Sequence, residues 1–424
     1  MHRSSHRPTP RVIAVALVAS WLQAAAVDAR PATEALVDLR PLPSPAAPGS
    51  AEPHLAVSPE GRVWLSWLEK QEAGGHSLRV ARLDGARWSS PFTVATGDSF
   101  FANWADFPTV LPLGGERLAV HYLWRTSGET YAYEVRVTRS GDGGRTWSRP
   151  VVPHRDATPT EHGFVTLIPA GSEVRAIWLD GRNAMATDSS GHPVHLEEGE
   201  AEMTLRTAAI GADGSLSGEA LLDPRACDCC QTAAVAVPRG ALVAYRDRSG
   251  EEVRDISVVR LVDGAWQEPQ AVHADRWKIA GCPVNGPSLA AAGDRVAVAW
   301  FTAARDTPRV LLAFSDDGGR RFEAPIRVDG GTPLGRVSVL LDQDGGALVT
   351  WLEAREREGL VQVRRVDRTG VGPTTTVART SAARASGFPR MVRSGNRLVF
   401  AWTEAGKPSQ VRTTFARVSV GAAR

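Results

Sequence analysis

The stretch Ser140-Gly141-Asp142-Gly143-Gly144-Arg145-Thr146-Trp147 decides the fold, because the chain contains a second copy of it. It follows the strand-like run Tyr133–Thr138, and its composition predicts a hairpin turn. The aspartate can accept hydrogen bonds from the backbone ahead of it, and the two glycines after it tolerate positive φ. The copy is Ser315-Asp316-Asp317-Gly318-Gly319-Arg320-Arg321-Phe322, and in both copies a proline stands three residues after the aromatic. A repeated turn indicates a repeated β unit.

Seven short runs share a second pattern, in which alternating apolar residues end in an aromatic residue and are followed by polar or charged residues. The terminal aromatics are Trp67, Tyr122, Trp178, Tyr245, Trp300, Trp351 and Trp402, at separations of 55, 56, 67, 55, 51 and 51 residues. Each repeat of about 50 residues has room for four short strands, which is the size of one β-propeller blade. We expect the repeated aromatics to lie in the core.

We therefore predict an all-β protein in which residues 30–424 form one β-propeller of four-stranded blades. The repeats favour seven blades, with six as the alternative. The seventh repeat ends without a fourth strand, whereas Ala35–Leu39 is a strand-like segment with no partner of its own. An N-terminal strand that completes the last blade would close the ring and hide two sheet edges.

The N-terminal segment has the composition of a secretory signal. Three arginines precede an apolar run of 11 residues, Val12–Leu22, which is too short to span a bilayer. We expect residues 1–29 to be removed and the protein to be exported, to the periplasm or outside the cell. The remaining chain carries 46 basic and 46 acidic residues. This balance argues against a nucleic-acid partner or an anionic membrane, and we expect a monomer that does not insert into membranes.

Charged residues follow the repeated aromatics and also occur in the loops that lead into the next repeat. Propeller geometry places both kinds of loop on one face, around the axis. Guanidinium groups bind carboxylates through paired donors, and carboxylates bind sugar hydroxyls or transfer protons. We therefore predict a site for an acidic glycan or another small anionic ligand, with no cofactor. The alternative is that these charges form ion pairs between adjacent blades.

The candidates for this site fall into two groups by side-chain chemistry. The substrate-binding candidates are Arg182, Arg246, Arg248, Arg336 and Arg355. The catalytic candidates are Asp106, Tyr245, Asp247 and Glu353. Both groups belong to loops or strand ends that are expected on the same face of the ring.

All four cysteines fall in two loops that precede the first strand of a repeat. Cys227, Cys229 and Cys230 precede the fourth repeat, and Cys282 precedes the fifth. Both loops belong to the same face of adjacent blades, so the four thiols can meet. Two disulfides are expected in an exported protein, one of them between Cys282 and a cysteine of the first loop. The alternative is a four-thiolate site for Cu(I) or Zn(II).

The Ser-x-Asp-x-Gly-x-x-aromatic pattern of the two turns resembles the Asp-box, or BNR repeat, of bacterial sialidases and related exported propellers, across roughly residues 51–420. The resemblance implies a propeller fold and a retaining exo-glycosidase that removes terminal sialic acid. Such sites use three arginines on the substrate carboxylate, a tyrosine–glutamate nucleophile pair and an aspartate acid/base. Three hypotheses remain open: an exo-α-sialidase-type hydrolase, a non-catalytic propeller that binds a glycan or protein, and a copper- or zinc-binding propeller.

Overall fold

The computed structural model describes residues 1–2, 36–187, 193–195 and 202–418, and for residues 186–187 and 193–195 it describes the backbone alone. The predicted signal segment lies outside these ranges except for its first two residues, and its removal stays a prediction. Ala32–Arg424 form one compact unit. Its described part is built from strands and three short 3-10 helices, Arg182–Ala184, Ala304–Asp306 and Arg384–Ser386.

Among the described residues, the structure contains no helix with the length and apolar character that a membrane crossing requires.

Seven antiparallel sheets surround a common axis, and their inner strands contact one another in a closed ring. The inner strands of blades 1 to 7 are Ser50–Val57, Thr109–Pro112, His162–Ala170, Ala233–Val237, Ser288–Ala292, Pro333–Leu341 and Arg390–Ser394. The second strands are Val63–Lys70, Leu118–Arg125, Glu173–Asp180, Gly240–Arg246, Arg295–Thr302, Ala347–Arg355 and Arg397–Glu404. The third strands are His76–Asp84, Tyr133–Ser140, Thr204–Ile210, Ile256–Val262, Arg309–Ser315, Glu358–Asp367 and Gln410–Val418. The predicted seven-bladed propeller is confirmed.

The outer edges of the blades are less regular than the inner strands. The outer strands are Arg87–Trp88 and Phe92–Gly97 in blade 1, Leu216–Asp223 in blade 3, Ala265–Trp266 and Gln270–Ala271 in blade 4, Ile326–Arg327 in blade 5, Gly370–Ser381 in blade 6 and Leu36–Leu42 in blade 7. In blade 2 the outer edge is a single bridge between Val137 and Val151. A separate hairpin pairs Met185–Thr187 with Pro193–His195.

The N-terminal strand Leu36–Leu42 is the outer strand of blade 7, where it pairs antiparallel with Gln410–Val418. Side chains add to this pairing, because the Thr414 hydroxyl donates to the carbonyl of Arg40 at 2.5 Å. The first and last described strands of the chain therefore lie in the same sheet. Leu36–Leu42 therefore covers the outer edge of Gln410–Val418, which would otherwise be unpaired.

The second strands are buried because each blade packs between two others. The repeated aromatics lie one to four residues before the ends of these strands, and six of the seven are at most 5% exposed. The seventh, Trp402, is partly buried against the core between blades 6 and 7. Aromatic side chains bury a large apolar area, so their recurrence at one position per blade builds the cores that join the blades. The prediction that they lie in the core is confirmed.

The two Ser-x-Asp-x-Gly turns have the same hydrogen bonds. In each turn the serine hydroxyl donates to the aspartate carboxylate, at 2.8 and 2.9 Å. The same carboxylate accepts the N–H four residues further along, at 2.9 Å in both turns, and both following glycines have positive φ. The backbone N–H of Gly143 donates to the backbone carbonyl of Glu116, and that of Gly318 donates to the backbone carbonyl of Asp294, at 2.9 Å each. These acceptors belong to the turns between the first two strands, so the repeated turns lie opposite the loops that join blade to blade.

Polar side chains near the start of three inner strands connect their blade to the next one. Each accepts a backbone N–H from the following blade: Asp106 from Phe164 at 2.7 Å, Gln231 from Gly286 at 3.0 Å and Asn285 from Arg336 at 2.7 Å. Buried backbone donors are costly to leave unpaired, so these acceptors stabilise the ring where it surrounds the axis. We refer to these bonds as the inter-blade bonds.

Candidate functional site

A cleft of about 760 Å³ opens on the face where the loops lead from one blade to the next. We call it the mouth cleft. A smaller cavity of about 210 Å³ lies among the inner strands around the axis. The mouth cleft is the candidate site, because it combines space for a ligand with several titratable side chains. These side chains include Glu129, Glu161, Asp228, Arg248 and the thiols of Cys229 and Cys282.

Glu161 stands in the wall of the mouth cleft, directly before the inner strand of blade 3. Tyr133 donates its hydroxyl to Glu161 Oε1 at 2.5 Å. Tyr133 is itself buried and stacks on Phe101, with ring centroids 3.9 Å apart, so the donor is held in place. Burial, with a contribution from the charge of Asp228, raises the pKa of Glu161 to about 7, although the Tyr133 hydrogen bond acts in the opposite direction. At neutral pH this carboxyl is therefore able both to give and to accept a proton.

The four cysteines meet at the same cleft. Cys227 Sγ lies 2.9 Å from Cys230 Sγ and 3.9 Å from Cys229 Sγ, and Cys229 and Cys282 both line the mouth cleft. Cys227 and Cys230 are buried, Cys229 is partly buried and Cys282 is exposed. A disulfide has an S–S distance of about 2.05 Å, so all four are free thiols in this structure. Their assignment as disulfides or metal ligands stays a prediction.

The surroundings of Cys227 favour its thiolate. Burial opposes a charge there, but hydrogen bonds from Cys229 and Cys230 and the positive charge of Arg246 hold the pKa of Cys227 well below its usual value. Arg254 also donates to Cys227 Sγ at 3.4 Å. A thiolate, unlike a thiol, is a strong nucleophile and metal ligand, so this sulfur differs in reactivity from an ordinary buried cysteine.

Two of the five candidate arginines are buried between blades. Arg246 is 1% exposed. Its guanidinium nitrogens donate to three backbone carbonyls, those of Arg254 (2.6 Å), Asn285 (2.9 Å) and Phe301 (2.7 Å). Arg336 donates to three acceptors in the loop before the inner strand of blade 7, at 2.6 to 3.3 Å. The geometry of both is that of a connection between adjacent blades, and their role in substrate binding stays a prediction.

The other three candidate arginines differ in their access to the mouth cleft. Arg182 donates twice to the Asp180 carboxylate, at 2.7 Å. Arg248 donates to Glu252 at 2.8 Å and to Asp228 at 3.2 Å, and it lines the cleft. Arg355 is exposed at the end of the second strand of blade 6. Of the five candidates, only Arg248 is among the residues that line the described cleft.

The four catalytic candidates are engaged with their neighbours. Asp106 forms one of the inter-blade bonds and lines the axial cavity. Tyr245 is 1% exposed and donates its hydroxyl to Asp223. Asp247 accepts the Ser257 hydroxyl at 3.2 Å. The fourth, Glu353, accepts the indole N–H of a core tryptophan at 2.5 Å. None of the four is among the residues that line the described mouth cleft, and their catalytic roles stay predictions.

A regular motif explains why several charged residues follow the repeated aromatics. An acidic residue two positions after the tryptophan accepts its indole N–H: Glu69 from Trp67 (3.2 Å), Asp180 from Trp178 (2.7 Å) and Glu353 from Trp351 (2.5 Å). The tryptophan N–H is buried and needs an acceptor. The spacing Trp-x-Asp/Glu is visible in the sequence. An acidic residue at this spacing is as consistent with a structural acceptor for the indole N–H as with a catalytic acid/base group.

Replacing Glu353 with alanine is expected to lower the free energy of unfolding by about 1–3 kcal/mol, because the indole N–H of Trp351 then has no acceptor in the core. Urea denaturation followed by tryptophan fluorescence measures this change. The matched control is Glu358→Ala in the same blade, since Glu358 pairs with Arg379 at a site where both side chains are more than half exposed. Its effect should stay below about 0.5 kcal/mol. Equal effects of the two variants would contradict the proposed role of Glu353.

A cluster of His154, Asp156 and His162 lies next to Glu161 in the chain. The two imidazole rings stack with centroids 3.7 Å apart, and each donates to Asp156, at 3.0 and 3.1 Å. Arg182 approaches the same carboxylate at 3.4 Å. The positive charge of Arg182 at this position repels a metal cation. The arrangement therefore favours a charged hydrogen-bond network over a metal site.

Fold and site together define a seven-bladed β-propeller whose mouth cleft carries carboxyl groups and thiols. No family model and no curated protein matches the chain. Among solved structures, a protein of unknown function from Dyadobacter fermentans aligns with a TM-score of 0.51 and 14% identity, over 90% of this chain and 98% of that one.

Two further solved structures belong to enzymes. The polysaccharide lyase Uly1 aligns with a TM-score of 0.49 and 9% identity, over 87% of this chain and 89% of that one. The Trypanosoma rangeli sialidase aligns with a TM-score of 0.47 and 15% identity, over 88% and 60%. At these identities the likeness to sialidases and polysaccharide lyases is one of fold alone.

Proposed function

We propose that this protein binds a glycan in the mouth cleft and cleaves a glycosidic bond, with Glu161 as general acid/base. The observation that carries this proposal is the Glu161 carboxyl itself, which stands in the cleft wall with its pKa raised to about 7. A carboxyl of this kind protonates a leaving oxygen far more readily than a carboxyl that is fully ionised at neutral pH.

A second carboxyl supports glycoside chemistry. Asp228 lines the same cleft, and its negative charge contributes to the raised pKa of Glu161. Glycosidases use two carboxyl groups around the scissile bond, one as the acid and the other as the nucleophile or as the base for a water molecule. Tyr133 is a positioning residue in this scheme, because its buried hydroxyl fixes Glu161 and lies outside the residues that line the cleft.

The cleft also offers groups for binding a sugar. Tyr131 is 61% exposed at the cleft wall, and its ring can cover an apolar sugar face while its hydroxyl remains in water. Arg248 and Arg384 bring guanidinium groups to the same wall. These are the cations that can contact an acidic substituent, so the substrate class that we propose is a glycan bearing a carboxylate.

The test is turnover of a panel of fluorogenic glycosides and soluble polysaccharides that includes sialosides and uronides, with products identified by mass spectrometry. Glu161→Gln keeps the size of the side chain and an acceptor for Tyr133 but cannot transfer a proton. We expect it to lower kcat by about 100-fold to 10,000-fold, which is the usual contribution of a general acid/base. The matched control is Glu323→Gln, at an exposed ion pair in blade 5 next to the second repeated turn, and its kcat should match that of the wild type.

The outcomes separate an enzyme from a glycan-binding propeller. Turnover that disappears in Glu161→Gln supports the enzyme. Binding on a glycan array without turnover of any panel member contradicts the catalytic proposal and favours a glycan-binding propeller. Absence of both binding and turnover for the wild type would overturn the assignment of the cleft to glycans.

A further inference from the structure

The four cysteines of this chain are the densest group of chemically reactive side chains that the proposed glycan chemistry does not use. Three come from four consecutive residues, 227–230, and their sulfurs lie within 4.8 Å of one another. The fourth, Cys282, belongs to the loop before the inner strand of the neighbouring blade and lines the mouth cleft together with Cys229. Two separate loops therefore bring cysteines to the wall of the same cleft.

We propose that these four cysteines form a binding site for one Cu(I) ion at the wall of the mouth cleft. Two sulfurs held at about 2.3 Å from one ion, in either a trigonal or a tetrahedral arrangement, are separated by about 4 Å. The Cys227–Cys229 separation of 3.9 Å already matches this value. The sulfurs of Cys227 and Cys230 are 2.9 Å apart, and the distance between them would increase by about 1 Å when an ion binds.

The charges around the sulfurs suit an anionic metal–thiolate centre. Arg254 donates to Cys227 Sγ at 3.4 Å, and it is held by Glu252 at 2.8 Å. Arg248, beside the same cleft, is held by Glu252 and Asp228. Several thiolates bound to a monovalent ion leave a net negative charge, and fixed guanidinium groups at this distance stabilise it in a partly buried environment.

The arrangement favours Cu(I) over Zn(II) for two reasons. Thiolate ligands select soft ions, and Cu(I) accepts a three-coordinate site that is open on one side. Structural Zn(II) sites are instead closed by four ligands in a tetrahedron. Here two thiols are buried, Cys229 is partly buried in the cleft wall and Cys282 is exposed. The buried pair forms the base of the site, and the open side gives an ion a path from the cleft.

The test is titration of the full-length protein, reduced and kept free of oxygen, with Cu(I) against a chromophoric Cu(I) chelator. We expect one equivalent to bind and to produce an ultraviolet thiolate-to-copper charge-transfer band. Cys229→Ser should weaken the affinity by more than the roughly 10–100-fold that loss of an outer-shell partner costs. Cys282→Ser should have a smaller effect, because that thiol is the most exposed of the four. Glu323→Gln, remote from the thiols, should bind copper as the wild type does.

A parallel titration with Zn(II) and a Zn(II) indicator separates the two metals, and X-ray absorption at the copper edge of the wild-type complex counts the sulfur neighbours without any variant. Three or four sulfurs at one copper support the proposal. Copper binding that survives in both cysteine variants, or copper with nitrogen and oxygen neighbours, would overturn it. So would tight Zn(II) binding without Cu(I) binding, or reduced protein that binds neither ion. None of these readouts depends on glycan turnover, so the failure of one proposal leaves the other intact.

Discussion

Replacing Arg246 with methionine is expected to lower the free energy of unfolding by about 4 kcal/mol. The methionine side chain fills most of the volume but donates no hydrogen bond, so three buried carbonyls in blades 4 and 5 lose their partner at once. The guanidinium also stacks over Trp277, with 4.8 Å from its carbon to the ring centroid, and this contact is weakened as well. Urea denaturation followed by tryptophan fluorescence measures the loss.

The control is Arg239→Met in the same blade, where Arg239 pairs with Asp263 and both side chains are more than 60% exposed. This substitution should leave the free energy of unfolding close to that of the wild type, because an exposed ion pair contributes little to stability. The pair of variants also separates two roles for Arg246. A substrate-binding arginine would leave stability almost unchanged when replaced, whereas a connection between blades would not. An Arg246→Met protein with the unfolding midpoint of the wild type would contradict the structural role.

Replacing Asp156 with asparagine is expected to cost about 3 kcal/mol near pH 6, because it removes the carboxylate that accepts from both stacked histidines. The pKa of Asp156 is lowered: burial opposes its charge, but hydrogen bonds from His154 and His162 favour it. The pKa of His162 is raised: burial opposes its charge, but Asp156 and Asp180 favour it. Wild-type stability measured against pH, compared with that of Asp156→Asn, tests both statements.

The two shifts act at opposite ends of the pH range. Asp156 stabilises the folded state at pH values above its pKa in the unfolded chain, which is about 3.9. This stabilisation is lost as the pH falls below that value. His162 stabilises the folded state at pH values below its pKa in the unfolded chain, which is about 6.5. This stabilisation is lost as the pH rises through the higher pKa that His162 has in the folded protein. We therefore expect the Asp156–His162 pair to stabilise the wild type most between about pH 4 and 6.5, and the variant to lose most of this dependence. Asp263→Asn, at an exposed pair, is the control and should leave the profile unchanged. A variant with the wild-type profile would show that the network does not act through Asp156.

The fold could be predicted because its signals are local and repeated. One aromatic per blade recurs near the end of each second strand, and the period of these residues gives both the size and the number of the blades. The repeated turns have their serine, aspartate and glycine residues within five consecutive positions, so their hydrogen bonds follow from the sequence alone. The irregular outer edge of blade 2 has no such signal, because a single bridge leaves no pattern of alternation.

The candidate site was harder to predict because its properties arise between blades. Charged residues were chosen for their position after an aromatic, but the partners of Arg246 are backbone carbonyls of other loops, which no residue type marks. Glu161 was missed for the same reason. Its pKa depends on Tyr133 from blade 2 and Asp228 from the loop before blade 4, so only the assembled ring brings the three groups together. The cysteines were found because their residue type alone indicates reactivity.

The pairing of Leu36–Leu42 with Gln410–Val418 has a consequence for how the molecule is made. The first of these strands is synthesised long before its partner, and the hydrogen bond from Thr414 to Arg40 spans 374 residues. Contacts between such distant positions form slowly, since the intervening chain must lose much of its freedom first. Until Gln410–Val418 has been synthesised, the polypeptide therefore carries an unsatisfied strand at Leu36–Leu42, and that strand is exposed to other nascent chains and chaperones.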